Sequence, residues 1–515
     1  MIDETKIEQN SIFIKVARIV KEMGEYMLPN QQTLSDALMV EKISMWDVVA
    51  PMLSVSKMPK LFNGVKRHNY YIEATLIIFK IIKLYIRLYF RKPCSNNLKL
   101  EKDNKILILA FSRYMYRDTL KPIAKALAKS KNINVVLLNN SDDKKIINDS
   151  DEFFSLDLSI WDYYSYEVKL EVINEYKKYI KKSHLIINEL ENIAKKYLLP
   201  NSSKLMLKWL FLVYIPNLIV LVILSKKIIN ESNLRVLISP DVHDPRVRIF
   251  CLMGKRFGVK TVEVQHVPYT FENVEWRFFI ADLLAVTGLS NYDVMINHGI
   301  QPEKMIITGS PRYDNEIDSS NEVVKARFGI TKQKKIILFG SQPYLDGAFS
   351  SKKIREQMIV DLLEIGSKFD NIVLLIKDHP LETLLDKKIY LGLRDKKIKI
   401  ELDSVPIQTL IEMADVYITF FSATTFDAIA LNRAVVNIMY KDSVCPNLFE
   451  NSKATFIAKN KSDIEYVFRC TSLGKHNQLL IEYPQCRRNF FDGWYSKSNI
   501  TATHKIVNII LEIIE

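Results

Sequence analysis

After about residue 105 the apolar and polar positions settle into one repeating pattern: a short continuous apolar run, a polar loop, then apolar residues at helical spacing. Residues 105–111 read as a buried strand, 118–130 as a helix and 133–138 as a second strand, which together make a βαβ unit. Strands are predicted again at 234–239, 260–264 and 281–287, with one helix closed by Gly258 as its C-cap and another over 291–298. A helix at 323–329 links to a second series, with strands at 335–341, 371–376, 398–402, 415–420 and 435–438 and helices at 353–369, 382–391, 407–413 and 424–431. Continuously apolar strands alternating with helices mean parallel sheets covered on both faces. The expected fold is therefore α/β, with two Rossmann-like domains facing a cleft, at 101–325 and 326–515, the final helix included in the second.

Residues 1–100 show helical patterns and almost no strand signal, and are expected to form an N-terminal helical extension. Within it, residues 76–92 place Lys80, Lys83, Arg87 and Arg91 at helical spacing beside Ile77, Ile81, Leu84 and Leu88. Such a helix suits either an anionic bilayer or a core with solvated lysines. Residues 151–204 read as a charged helical insertion. The longest apolar run, 209–225, contains Pro216 and Asn217. A span there would put two halves of one sheet on opposite sides of a membrane, so a buried or membrane-contacting helix is expected.

The 515 residues exceed what one core usually supports, which agrees with two domains. Lys and Arg outnumber Asp and Glu by 72 to 59, a formal charge of +13 that predicts an anionic partner. No nucleic-acid motif or basic tail accompanies it, which favours a membrane surface or phosphorylated substrates. The five cysteines are scattered and read as reduced thiols of a cytosolic protein, and residues 1–10 are too polar for a secretory leader.

Two strand ends in the second series carry the most chemistry. The run 371–376 leads into Lys377-Asp378-His379-Pro380, and 415–420 leads into Phe421-Ser422-Ala423-Thr424-Thr425-Phe426-Asp427-Ala428. Open α/β sheets bind ligands at the carboxyl ends of their strands. Ser422, Thr424 and Thr425 open a predicted helix, where free N–H groups and hydroxyls suit a phosphate or diphosphate, while His379 and Lys377 add positive charge. In the first series Pro240-Asp241-Val242-His243-Asp244 and Gln265-His266 stand at strand ends. Asp241, His243 and Asp244 are metal-ligand types, but their spacing matches no cage, and no metal is expected.

Taken in order, Gln265-His266, Thr308-Gly309-Ser310-Pro311-Arg312-Tyr313-Asp314, the Lys377 to Pro380 segment and the Ser422 to Ala428 segment resemble GT-B-type transferases of bacterial surface polysaccharides. That group includes CDP-glycerol glycerophosphotransferases, capsule Kdo transferases and bacterial sialyltransferases. The resemblance covers residues 235–495, including Asp492-Gly493. It implies a cytosolic enzyme, peripheral on the inner face of the plasma membrane, that moves a sugar from a nucleotide-activated donor to a capsule, lipooligosaccharide or related acceptor, with inversion and without metal or other cofactor. It also implies that Lys377, His379, Pro380 and the loop of Ser422, Ala423, Thr424 and Thr425 hold the donor phosphate, with Asp427 near the ribose or sugar. Gln265 and His266 would belong to an acceptor-facing loop, with Arg312 and Asp314 lining the cleft or pinning the turn between halves. His266 and Asp244 are the candidate bases for the acceptor hydroxyl. The group usually has glycine after that histidine; Val267-Pro268 here points to a changed acceptor or lost activity. The implied partners are the nucleotide-sugar donor, a glycan or lipid-linked acceptor and anionic membrane, with no nucleic acid. The alternatives are transfer of glycerol phosphate or another polyol phosphate from a CDP donor, a sugar-nucleotide 2-epimerase, and a non-catalytic scaffold of polysaccharide assembly.

Overall fold

The computed structural model describes residues 12–54, 67–94, 104–111, 115–130, 134–139, 156–314, 321–331, 333–344, 349, 351–379, 382–391, 398–401, 405–440, 448–449, 452–481 and 484–515. The chain divides into two compact units, residues 1–314 with 497–515, and residues 315–496.

A short hairpin of β1 (Met39–Val40) and β2 (Ile43–Ser44) precedes the first unit's main sheet. That sheet comprises β3 (Asn104–Leu109), β4 (Asn134–Asn139), β5 (Leu156–Ser159), β6 (Val236–Ser239), β7 (Lys260–Val264), β8 (Leu283–Val286) and β9 (Met305–Ile307). All pairs are parallel and the order is β5-β4-β3-β6-β7-β8-β9. The order reverses between β3 and β6, a Rossmann switch point. Here β5 is a strand inside the stretch expected to be wholly helical; the helix proper is Tyr166–Lys196, opened by the Ser165 cap.

The second unit holds β10 (Lys335–Gly340), β11 (Ile372–Lys377), β12 (Ile398–Glu401), β13 (Val416–Thr419), β14 (Ala434–Ile438) and β15 (Phe456–Ala458), again all parallel, ordered β12-β11-β10-β13-β14-β15. Its switch point lies between β10 and β13. Ile337, Phe339, Leu374, Ile376, Val416 and Ile418 form its core with Met358 and Leu362 from helix Lys352–Gly366.

The division corrects the expected boundaries in two places. The final helix, Ala502–Ile514, belongs to the first unit: Ile506, Val507 and Ile510 cover Ile106, Ile108 and Val236 beside Leu120, Ile123 and Leu127. An apolar stripe does not encode which of two similar sheets it covers. Residues 12–54 share one core with the first unit rather than standing apart, since Val20, Trp46 and Val49 cluster with Ile249 and Phe250. Arg248, 3% exposed, stitches them, donating from Nε to the Asp47 carbonyl at 2.6 Å and from Nη1 to the Phe278 carbonyl at 2.7 Å.

The apolar run lies in Ser203–Asn230, the one helix among the described residues long and apolar enough to cross a membrane. Its most apolar 18-residue stretch is 67% buried, with Phe211, Ile215, Ile219 and Val222 in the core beside Tyr179 and Leu190, which makes it a core helix. Helix Arg67–Phe90 is different. Ile77, Leu84 and Leu88 seat it, while Ile78, Phe79, Ile82, Ile86, Tyr89 and Phe90 are exposed. Of its basic residues, Lys80 lies over the Trp209 ring, and Arg91, just beyond the helix, stacks 3.4 Å from the Trp161 ring, leaving Lys83 and Arg87 on the exposed surface.

Candidate functional site

In the first unit the chemistry gathers at the carboxyl ends of β6 and β7. His266, half-buried, follows β7 by two residues, and its Nδ1 lies 3.1 Å from the Pro240 carbonyl. A carbonyl only accepts, so the bond puts the proton on Nδ1 and leaves Nε2 with its lone pair free to take one. Burial holds the imidazole below its ordinary pKa, against the opposing pull of the Asp241 carboxylate, so His266 is neutral at physiological pH. Tyr269 flanks the ring, its hydroxyl 3.3 Å from Nδ1.

The other residues singled out in this unit hold the scaffold. Asp244 caps helix Pro245–Arg256, accepting from the Arg246 N–H at 2.8 Å, and the Arg246 guanidinium clasps the same carboxylate with Nε at 3.0 Å. That carboxylate is committed twice within the protein, to a backbone N–H and to a guanidinium. Gln265 is 1% exposed and turned inward rather than lining an acceptor surface: it accepts from the Thr287 N–H at 3.1 Å and donates to the Val267 carbonyl at 2.8 Å. A buried amide must satisfy both ends, and doing so fixes the loop that carries His266. Val267 is not among the described non-glycine residues with positive φ, so its backbone conformation does not require glycine. Arg312 pairs with Asp118; burial raises the Asp118 pKa, but the Arg312 and Arg117 guanidiniums outweigh it and hold the carboxylate below its ordinary value. Asp314 accepts from the Ala502 and Thr503 N–H groups at 2.8 and 2.7 Å, capping the final helix. Both are pins within the first unit.

In the second unit the switch point between β10 and β13 is built from both sides. Lys377 ends β11 and is mostly buried, its Nζ 4.0 Å from Asp378 Oδ1, while Asp378 pairs with Lys387. Burial lowers the His379 pKa, opposed by Glu382 and Asp378. Pro380 lies outside the described residues. Sequence reasoning missed Glu382, which is fully buried at its side chain. One of its oxygens accepts from Ser341 Oγ at 2.7 Å and Arg355 Nη2 at 2.5 Å; the other accepts from the His379 N–H and the Tyr390 hydroxyl, both at 2.9 Å. The carboxylate three residues after His379 was its only sequence signal.

Beyond β13, Ser422 and Thr424 are half-buried and joined by a 2.7 Å hydroxyl bond, and Thr424 Oγ1 meets the Tyr417 hydroxyl at 2.5 Å. Ala423, not Ser422, occupies the N-cap position of the short helix Thr424–Ala430. Thr425 is turned into the core, where it accepts from Asn437 Nδ2 at 3.2 Å. Asp427 is 1% exposed, with Gln408 Nε2 at 3.4 Å, an interior placement at odds with the expected approach to a ribose. After its first residue this helix is buried on every side, without a break from Thr425 to Ile429. Of the residues singled out at these two strand ends, Ser422, Thr424 and His379 keep partly exposed side chains and Lys377 is mostly buried. Gly340 lets β13 approach: a Cβ there would stand 2.3 Å from the Tyr417 hydroxyl.

Half of the chain, residues 255–512, matches the family model of CDP-glycerol:poly(glycerophosphate) glycerophosphotransferase. The chain belongs to this family. It is thus a transferase, and its two Rossmann-like units agree with the GT-B class expected from its motifs. A search of curated protein sequences finds no match. Among solved structures, the chain is similar to the wall teichoic acid polymerase TagF (TM-score 0.49, 13% identity, covering 87% of this chain and 98% of that one). It is also similar to a Staphylococcus aureus MnaA–UDP complex (0.48, 13%, 80% and 97%) and to the UDP-GlcNAc 2-epimerase of Methanocaldococcus jannaschii (0.49, 14%, 79% and 99%).

Proposed function

We propose that this glycerophosphotransferase moves glycerol phosphate, or a closely related polyol phosphate, from a CDP-linked donor to a hydroxyl of a poly(glycerophosphate) or other surface-glycan acceptor. The observation that carries this reading is the family match across both the His266 and the His379 loops. It favours the polyol-phosphate alternative over direct sugar transfer. In the proposed reaction the acceptor oxygen bonds to the phosphorus that bears the glycerol, the bridging P–O bond breaks, and CMP leaves with the electron pair. The acceptor's proton passes to Nε2 of His266, the tautomer that the Pro240 carbonyl selects. His379, Lys377, Ser422 and Thr424 hold the donor diphosphate and meet the charge that grows on CMP.

Transfer is proposed to need no metal at the phosphate. The carboxylates around that place each have a partner within the protein, Glu382 in Arg355, Asp378 in Lys387 and Asp427 in Gln408, which supports charge compensation by the protein's own cations and donors. The exposed apolar face of Arg67–Phe90, flanked by Lys83 and Arg87, supports a peripheral position on anionic membrane at the cytosolic face, where a lipid-linked acceptor is found. Turnover of CDP-glycerol to CMP by the purified chain tests the assignment.

A further inference from the structure

Beside the carbonyl that orients His266 lies a cluster of ligating groups that the transfer chemistry leaves unused. Asp241 and His243 sit in the loop after β6, and Glu263 points up from β7; one ligand atom from each lies within 4.8 Å of the others. Spacing along the chain could not show this, because Glu263 joins only through the parallel pairing of β6 with β7, in which Ser239 faces Glu263.

Two features mark the cluster as a site rather than a set of solvated charges. Glu263 is 1% exposed; its Oε1 accepts the Val242 N–H at 3.3 Å, and its Oε2 has no hydrogen-bond partner. His243, whose side chain is 9% exposed, leaves Nε2 without a partner, while its Nδ1 lies 3.6 Å from Asp241 Oδ1. The Glu275 carboxylate, from the turn Val274–Phe278, acts electrostatically on both Asp241 and His243 and also has an oxygen without a partner. The nearby Arg248 donates to two backbone carbonyls, those of Asp47 and Phe278. Unpaired buried carboxylate oxygens are costly, and a cation coordinated by several of them removes that cost at once.

We propose that Asp241, His243 and Glu263 bind a divalent first-row cation. One imidazole nitrogen with two carboxylate oxygens is a ligand set suited to Mn²⁺ or Zn²⁺. The cation ties the Pro240–Asp244 loop to β7, and so fixes the Pro240 carbonyl that holds the His266 tautomer. This role rests on His266 being the base, whereas cation binding does not. The site lies in the first unit, separate from the phosphate-holding residues, and the cation takes no part at the phosphate.

The test is isothermal titration of MnCl₂ and, separately, ZnCl₂ into the full chain after treatment with EDTA and dialysis. One saturable site per chain is expected, at least about tenfold weaker in Glu263→Gln and in Asp241→Asn, and unchanged in His379→Ala. Using both carboxylate variants keeps the test decisive if one fails to fold, with circular dichroism reporting the folded state. Absence of saturable binding to the wild type, or equal affinity in a folded Glu263→Gln, overturns the proposal and identifies the cluster as carboxyls sharing protons. Because the readout is binding, its outcome is independent of whether CDP-glycerol is the donor.

Discussion

Glu382→Gln probes how the His379 loop is held. The wild-type carboxylate is fully buried and accepts from Ser341, Arg355, the His379 N–H and Tyr390. Arg355 is itself 0% exposed, and its Nε donates to the Gln342 carbonyl at 2.7 Å. The substitution removes the charge that neutralises this guanidinium and replaces one accepting oxygen with an NH₂ group that faces donors. Breaking a buried ion pair by removing one partner costs about 3–5 kcal/mol. The amide keeps one accepting oxygen, which sets the expectation at about 3 kcal/mol, the lower end of that range. Urea denaturation of the full chain reads this as a lowered midpoint, and nucleotide titration reads the accompanying loss of donor affinity as the His379 backbone is released. A loss below about 1 kcal/mol, the size of one ordinary hydrogen bond, with unchanged nucleotide affinity would refute the reasoning.

Other perturbations reach the remaining parts of the account. Gly340→Ala forces a Cβ against the buried Tyr417 hydroxyl and should cost about 1–3 kcal/mol, read by thermal denaturation, with a matching loss of donor affinity through Thr424. Because burial lowers the His266 pKa from 6.5, the base stays neutral until pH falls through that lower value; the acid limb of kcat/KM is therefore expected below pH 6.5, and a limb above it would contradict His266 as a buried neutral base. Replacing Phe79, Ile82 and Ile86 by serine should abolish flotation with anionic liposomes while leaving soluble nucleotide binding intact; unchanged flotation removes the membrane role of Arg67–Phe90.

The parallel sheets were legible because continuous apolar runs such as 371–376 and 415–420, each followed by a polar loop and a helix, leave little else for the chain to do. The loops at 377–379 and 421–424 were legible for the same reason, since their position follows from the strand that precedes them. Whether a side chain within such a loop faces ligand or core was not. Thr425 and Asp427 read as site residues, yet the helix that carries them is buried on every side from Thr425 to Ile429. Gln265, Arg312 and Asp314 are polar residues at strand ends whose partners, Thr287, Asp118 and the start of Ala502–Ile514, lie far along the chain. Glu263 and Glu382 were missed because a lone carboxylate carries no signal until the fold supplies its neighbours. Charge on Arg67–Phe90 suggested a membrane face, but only packing shows which residues of that helix remain exposed.

The most direct measurement is ³¹P NMR of the wild type, His266→Ala and His379→Ala, each supplied with CDP-glycerol and a glycerophosphate-primed lipid acceptor, alongside nucleotide titration of each protein. The wild type is expected to convert the diphosphate resonances to CMP and a phosphodiester. His266→Ala should retain donor affinity and lose turnover, and His379→Ala should lose donor affinity. No CMP or phosphodiester from CDP-glycerol, with turnover of a nucleotide sugar in its place, would contradict the account.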